Sequence, residues 1–332
     1  MSVPAGDTAR ITLPYGDAPI SATLRDYASL TTVDVAAAPA LPDPAATLRA
    51  GLEQPIGFEA PMLAAVQPGQ RVLVVVSDSF RKTGIDQLLP ALLDALHARG
   101  VRREDVCFLY ATGTHRGPTP DEEAWILGDD VYTMYRGQTV SHDAFDASQL
   151  VHRGTTRRGT PVSIHRLAVE CDHVLATGSV VLHYFGGYGG GRKALVPGIA
   201  GAATIAHNHA MNLHPMEDRL DPAVRIGALA GNPVAEDMLE AARLCPCTGI
   251  INTVLNRDGA LAGVFVGELE TAHRAACRRA RDLYAVSLER QGDLVIAAAG
   301  AVRNMLQSHK ALFNAYQALA PGGRMVFAAA AP

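Results

Sequence analysis

Apolar positions run along the chain in two rhythms. "RVLVVVS" (71–77) is an unbroken β-branched run, which predicts a strand covered on both faces, as in a parallel sheet. After it, Ile85, Leu88, Leu89, Leu92, Leu93 and Leu96 recur at helical spacing, Gly100 stands where a helix C-terminal glycine belongs, and Pro90 is placed to kink the helix. "DVCFLYATG" (105–113) reads as a second strand and, beyond a long polar excursion, "CDHVLATGSVV" (171–181) as a third. Helical patterns follow at 202–211, 233–244 and 268–286. "DLVIAAAG" (293–300), a helix over about 304–320 and "RMVFAAA" (324–330) repeat the alternation.

Repeated β-α-β order predicts an α/β fold with mainly parallel sheets. A length of 332 residues suggests about two domains. "LCPCTG" (244–249) carries the punctuation of a junction, so the expected division is an N-terminal α/β domain, 1–245, and a C-terminal α/β domain, 246–332. There is no internal repeat and no low-complexity linker.

A formal net charge of -4 supplies no basic field for nucleic acid or an anionic membrane, which leaves small molecules as the expected partners. The opening "MSVPAGDTARITLPYGD" lacks a basic stretch followed by an apolar core, and the apolar runs are too short to span a bilayer, so a cytoplasmic location is expected. Five scattered cysteines argue for core thiols rather than a disulfide framework. Cys245 and Cys247 lack the second pair that a soft-metal site requires.

Open parallel sheets bind ligands outside the carboxyl ends of their strands. Asp78 and Arg81 follow the first strand in "SDSFRKTG", His115 follows the second in "ATGTHRG", and His183 follows the third in "VVLHYFGG". Singly, each has a structural explanation: a helix N-cap, a surface cation, a histidine bonded to loop backbone. Together they deliver a carboxylate, a guanidinium and two imidazoles to one sheet edge. His97 and His273 sit in helical patterns with charged neighbours and read as structural.

"HYFGGYGGGRKALVPG" (183–198) poses the sharper question of what approaches so glycine-rich a backbone. A phosphate loop needs Gly-Lys-Ser/Thr, but Arg192 precedes Lys193 and Ala194 follows it. A dinucleotide fingerprint fails too, since the sixth position from Gly187 is Arg192. A mobile surface loop fits poorly with the apolar "ALVPGIAG" beside it. What remains is backbone that admits a planar or anionic group near a lysine, whose amine bonds covalently to a cofactor when its surroundings favour the neutral form. Further on, His207 and His209 lie about 200° apart on a helix and cannot readily share a metal, though one imidazole could serve as the single protein ligand.

In their order and intervals, "SDSFR", "ATGTHR", "GTPVSIHR", "HYFGGYGGGRKALVPG", "NHAMN", "GNPVAEDM" and "LQSHKALFNA" resemble the nickel-pincer-nucleotide lactate racemase family over most of the chain. The resemblance implies an active site in the cleft between two α/β domains. It also implies a tethered cofactor, pyridinium-3,5-bisthiocarboxylic acid mononucleotide nickel, on Lys193, with Gly189, Gly190, Gly191 and Arg192 around it and His209 as the protein ligand to nickel. The implied activity is that of an isomerase, racemising or epimerising a 2-hydroxy acid such as lactate or a larger sugar acid. His115 and His183 would act as acid and base on opposite faces, Arg81 and Lys310 would bind the carboxylate, Asp78 would orient the site or fix Arg81, and Gln307 would touch substrate. Cofactor-maturation proteins are the implied partners.

Two positions depart from the family's pattern: Phe80 stands at a usual threonine and Leu306 at a usual tyrosine, which removes polar contacts and points away from lactate. Members of the family also tend to continue beyond "RMVFAAAAP", so the C-terminal domain is expected to be shortened. Two alternatives stand beside the isomerase: a non-catalytic cofactor-binding relative, and a nucleotide-dependent oxidoreductase or transferase.

Overall fold

The valine run forms the strand its composition dictates. In the computed structural model, which describes residues 2–302 and 305–330 and all their side chains except those of 2–5, 7 and 306, Val72–Ser77 lies inside a six-stranded sheet. Strand order is Leu261–Gly267, Gly249–Leu255, His173–Ser179, Val72–Ser77, Val106–Ala111, Thr139–Ser141. Every neighbouring pair is parallel except the Leu261–Gly267 edge, which runs antiparallel to Gly249–Leu255. Val74 pairs with Phe108 on one side and Leu175 on the other.

Because side chains alternate across a strand, the two faces of Val72–Ser77 build separate cores. Val72, Val74 and Val76 pack with Leu88, Leu92, Leu96, Phe108 and Tyr110, whereas Leu73 and Val75 pack with Leu195, Ile199, Met238 and Ala241. Burial of each such aliphatic side chain stabilises the fold by about 1.5–3 kcal/mol, which explains why no polar residue interrupts the run.

The predicted helix after this strand starts as a short turn, Ile85–Gln87, and continues as Leu89–Ala98. Pro90 does not kink it, because it occupies the first turn, where its missing N–H is no loss. Gly100 closes it at φ +81°, with Gly100 N–H donating to His97 and Val101 N–H to Leu96, the paired bonds of a left-handed helix stop. The predicted helices at 202–211, 233–244 and 268–286 are Ala202–Ala210, Pro233–Arg243 and Thr271–Tyr284.

The chain divides into two compact units, Ala36–Tyr284 and Met1–Val35 with Ala285–Pro332. The expected boundary at 245/246 therefore falls inside a unit. "LCPCTG" is a helix-to-strand connection: Thr248 N–H donates to Val174 O, and Gly249–Leu255 joins the sheet beside His173–Ser179. The smaller unit contains an antiparallel pair, Ser2–Leu13 with Ile20–Thr31, and a parallel pair, Gly292–Ala298 with Leu319–Ala328, spanned by helix Met305–Tyr316. The Leu306 side chain lies outside the described residues.

Candidate active site

Strands His173–Ser179, Val72–Ser77 and Val106–Ala111 are parallel neighbours, so their carboxyl ends open on one edge of the sheet. Asp78 leaves the central strand buried and meets His115, which leaves the next one, at 2.6 Å from Oδ2 to Nδ1. A buried carboxylate can only accept, so His115 keeps its proton on Nδ1 and presents a lone pair at Nε2. Asp78 thus fixes His115 and not, as one expectation has it, Arg81. Phe80 packs edge-on against the His115 ring with centroids 4.9 Å apart, and Arg116 lies over the other ring's face at 5.6 Å. Arg116 pairs in turn with Glu122, whose carboxyl it pulls down to about 2.

His183 is buried on the following loop. Its Nδ1 accepts from the N–H groups of Gly186, at 3.1 Å, and Phe185, at 3.4 Å, while its Nε2 lies 3.0 Å from Lys193 Nζ. Tyr184 stacks on the imidazole, 5.0 Å away and 15° from parallel. Burial raises the Tyr184 phenol, and the Arg81 charge opposes the rise.

Phe185 is the shared wall of the site. Its ring centroid is 4.5 Å from that of His183, 4.7 Å from that of His209, and 5.1 Å from Lys193 Nζ. His209, in the last turn of Ala202–Ala210, is pushed down to about 4, chiefly by burial, with the Ile205 carbonyl acting weakly in the opposite direction. It is thus a neutral imidazole near neutral pH, the form that ligates metals. His207 points elsewhere, as the 200° separation requires: its Nδ1 meets Thr160 Oγ1 at 2.9 Å. Among the described residues no group of three or more His, Cys, Asp or Glu side chains could hold a metal ion.

The His115 turn is tied to the lysine turn through backbone. Gly113 N–H donates to Gly198 O, and Gly198 N–H donates to Lys193 O, both at 2.9 Å. Two clusters therefore form by this edge, Asp78 with His115 and, around Phe185, His183 with Lys193 and His209, on turns joined by backbone hydrogen bonds. Gln307 and Lys310 belong to the smaller unit, on helix Met305–Tyr316, where Lys310 Nζ donates to Gln307 Oε1.

The glycine run is pressed against the protein's own backbone and side chains. A Cβ at Gly187 would sit 2.0 Å from Ala228 O, at Gly190 2.5 Å from Val180, and at Gly191 2.6 Å from the His273 ring, all three at positive φ. Gly189 is less constrained, 3.2 Å from Ser179 O. The Arg192 guanidinium, expected to lie by a cofactor, is turned inward and buried, and that burial pushes its pKa down to about 10. It donates to Gly186 O at 2.9 Å and to His273 Nδ1 at 3.1 Å, while His273 Nε2 donates to Gly189 O at 2.8 Å.

Arg192 and His273 thus grip carbonyls on both sides of the loop. Asn252 adds a third hold, accepting from Gly191 N–H at 2.6 Å. Asn252 escaped sequence reasoning, although a fully buried asparagine within the apolar "GIINTVL" was a signal, since an apolar strand tolerates a polar residue only where it has a partner. So did Asp237, wholly buried, which accepts from Thr156, Thr160 and Asn208 and ties the His209 helix to helix Pro233–Arg243.

Comparison with known proteins gives a consistent picture. A family described as "Lactate racemase N-terminal domain" matches residues 15–220. Lactate racemase of Thermoanaerobacterium thermosaccharolyticum is 32% identical over 286 residues, which are 85% of this chain and 65% of that protein, so the chain spans just under two thirds of that relative. Lactate racemase of Lactiplantibacillus plantarum is 30% identical over 327 residues, 97% of this chain and 74% of that one. Among solved structures, the lactate racemase apoprotein of T. thermosaccharolyticum superposes with a TM-score of 0.81 at 28% identity, covering 97% of this chain and 74% of that one. A Thermotoga maritima protein shares the fold with a TM-score of 0.63 at 21% identity, over 79% and 65% of the two chains. No helix among the described residues is long and apolar enough to cross a membrane.

Proposed function

The chain belongs to the lactate racemase family, and from that premise we propose that it is an isomerase that racemises or epimerises a 2-hydroxy acid, lactate or a larger sugar acid, with a nickel-pincer nucleotide tethered at Lys193. The observation that carries this reading is the grouping around Phe185: an amine bonded to one imidazole, and a second, buried and neutral imidazole on the other side of the ring. These residues fit the group. Lys193 would hold it covalently and His209 would hold its nickel, with Gly189 at the least constrained backbone of the loop.

When bound, that group supplies the reversible hydride acceptor that carbinol chemistry requires. The protein's own part is proton transfer and binding. His115, with its lone pair aimed outward by Asp78, takes the substrate hydroxyl proton. His183, on the segment that follows the strand at the other side of Val72–Ser77, is the second proton carrier, and two carriers on opposite faces are what inversion demands. Arg81 offers a planar fork to the carboxylate. Phe80, by packing on His115, replaces a polar contact with an apolar one and supports a substrate other than lactate.

Co-expression with cofactor-maturation proteins, followed by intact and peptide mass analysis with nickel determination, tests the tether. One adduct on the Lys193 peptide with bound nickel is expected. An unmodified Lys193 with reversible nucleotide binding would overturn the reading and favour an oxidoreductase or transferase.

A further inference from the structure

The hydrogen bonds of His183 constrain the protonation of Lys193. Both N–H groups that point at Nδ1, from Gly186 and Phe185, are amides and can only donate. Nδ1 must therefore carry a lone pair, and the ring proton of neutral His183 sits on Nε2. An Nε2–H directed at Lys193 Nζ across 3.0 Å needs an acceptor there. An ammonium has three donors and no lone pair; a neutral amine has one. The geometry points to a second role for His183, before any turnover: its Nε2–H holds Lys193 as a free amine, so that the empty protein carries a primed nucleophile for an acyl or thioacyl group.

Titratable and charged groups near the amine include His183 and Tyr184 on the preceding loop and His209 across the Phe185 ring, with the Arg81 charge acting on Tyr184. Residue choice agrees with the free amine. Of 29 lysines and arginines only three are lysines, at positions 82, 193 and 310, so this chain takes its cations as arginine almost throughout. Arginine cannot give up its proton, and position 193 carries the basic side chain that can.

This inference rests on the proposed tether and adds how it is made. The Nζ lone pair attacks the carbonyl or thiocarbonyl carbon of an activated donor, the N–C bond forms, the leaving group departs with its electron pair, and one amine proton passes to solvent. The product nitrogen is an amide or thioamide, whose delocalised lone pair no longer accepts from Nε2. That frees His183. Work as a proton carrier through Nε2 then further requires the ring proton to move to Nδ1 and the Gly186 N–H bond to be given up.

The test uses protein made without maturation proteins and shown by mass to be unmodified at Lys193. Trace acetic anhydride is added across pH 6–10 with a free alkylamine as internal standard, and acetylation is read on the Lys193 peptide; three lysines in the chain keep the assignment unambiguous. The normalised reactivity of Lys193 is expected to reach half its maximum at least about one pH unit below the standard amine. In His183→Ala the midpoint should rise by a similar interval, with about a tenfold lower rate at pH 7. A wild-type midpoint at or above the standard overturns the inference whether or not the variant folds. A midpoint unchanged by His183→Ala in a folded variant overturns it as well. The outcome is separable from the tether itself: a low midpoint without any adduct after co-expression defeats the proposed function alone, and an adduct on a lysine of ordinary reactivity defeats only the priming role.

Discussion

At the scale of single residues the account turns on where two imidazoles keep their protons. Asp78 and His115 lie on neighbouring strand ends, 37 positions apart, and the 2.6 Å bond between them forces the base-competent tautomer. Asp78→Asn preserves shape but permits the amide N–H to face Nδ1, which would move the ring proton to Nε2 and block proton uptake. Loaded Asp78→Asn protein should invert substrate on the order of 10²–10⁴ times more slowly while retaining the Lys193 adduct, as measured by chiral chromatography beside intact mass. Loss of the adduct with the rate would instead assign Asp78 a role in cofactor capture. The sequence made the candidates legible, because loaded residues recur just beyond buried strands. It did not reveal their pairings, since Asp78 could have met Arg81 equally well by sequence distance; only the parallel order of the two strands selects His115.

Among elements, the glycine turn shows a constraint that pattern reading does not disclose: Gly187, Gly190 and Gly191 are pressed against Ala228, Val180 and His273 at positive φ. The partners come from a later loop, the end of the third strand and helix Thr271–Tyr284, and no local spacing discloses that. Gly187→Ala combines positive φ with a 2.0 Å clash against a carbonyl and should cost roughly 2–4 kcal/mol in urea unfolding. Gly137→Ala, where a Cβ meets nothing within 4 Å and φ is not positive, should stay within about 0.5 kcal/mol. Equal losses at the two sites would mean that the turn is not held by its own packing. Strands, by contrast, were plain from composition: 71–77, 105–113 and 171–181 correspond to Val72–Ser77, Val106–Ala111 and His173–Ser179, because burial on both faces leaves uninterrupted apolar runs.

For the whole molecule, the α/β class and parallel sheet follow from the alternation of strands and helices, and the division into units does not. Punctuation at "LCPCTG" resembles a linker, but Gly249–Leu255 pairs with His173–Ser179, and a strand's partner lies outside any local window. The smaller unit joins both ends of the chain, Met1–Val35 with Ala285–Pro332, an association that only contacts distant in sequence can establish. All the groups proposed for tethering, metal ligation and proton transfer nonetheless fall in Ala36–Tyr284. The central claim is that this one sheet edge performs inversion at a carbinol carbon. Single enantiomers of a panel of 2-hydroxy acids should be incubated with protein shown by mass to carry the Lys193 adduct, and the products resolved by chiral chromatography. At least one acid should reach the same isomer mixture from either enantiomer, with no conversion by loaded His115→Ala or His183→Ala; a fully loaded protein that leaves every acid unchanged, or an active variant of either histidine, would contradict the account.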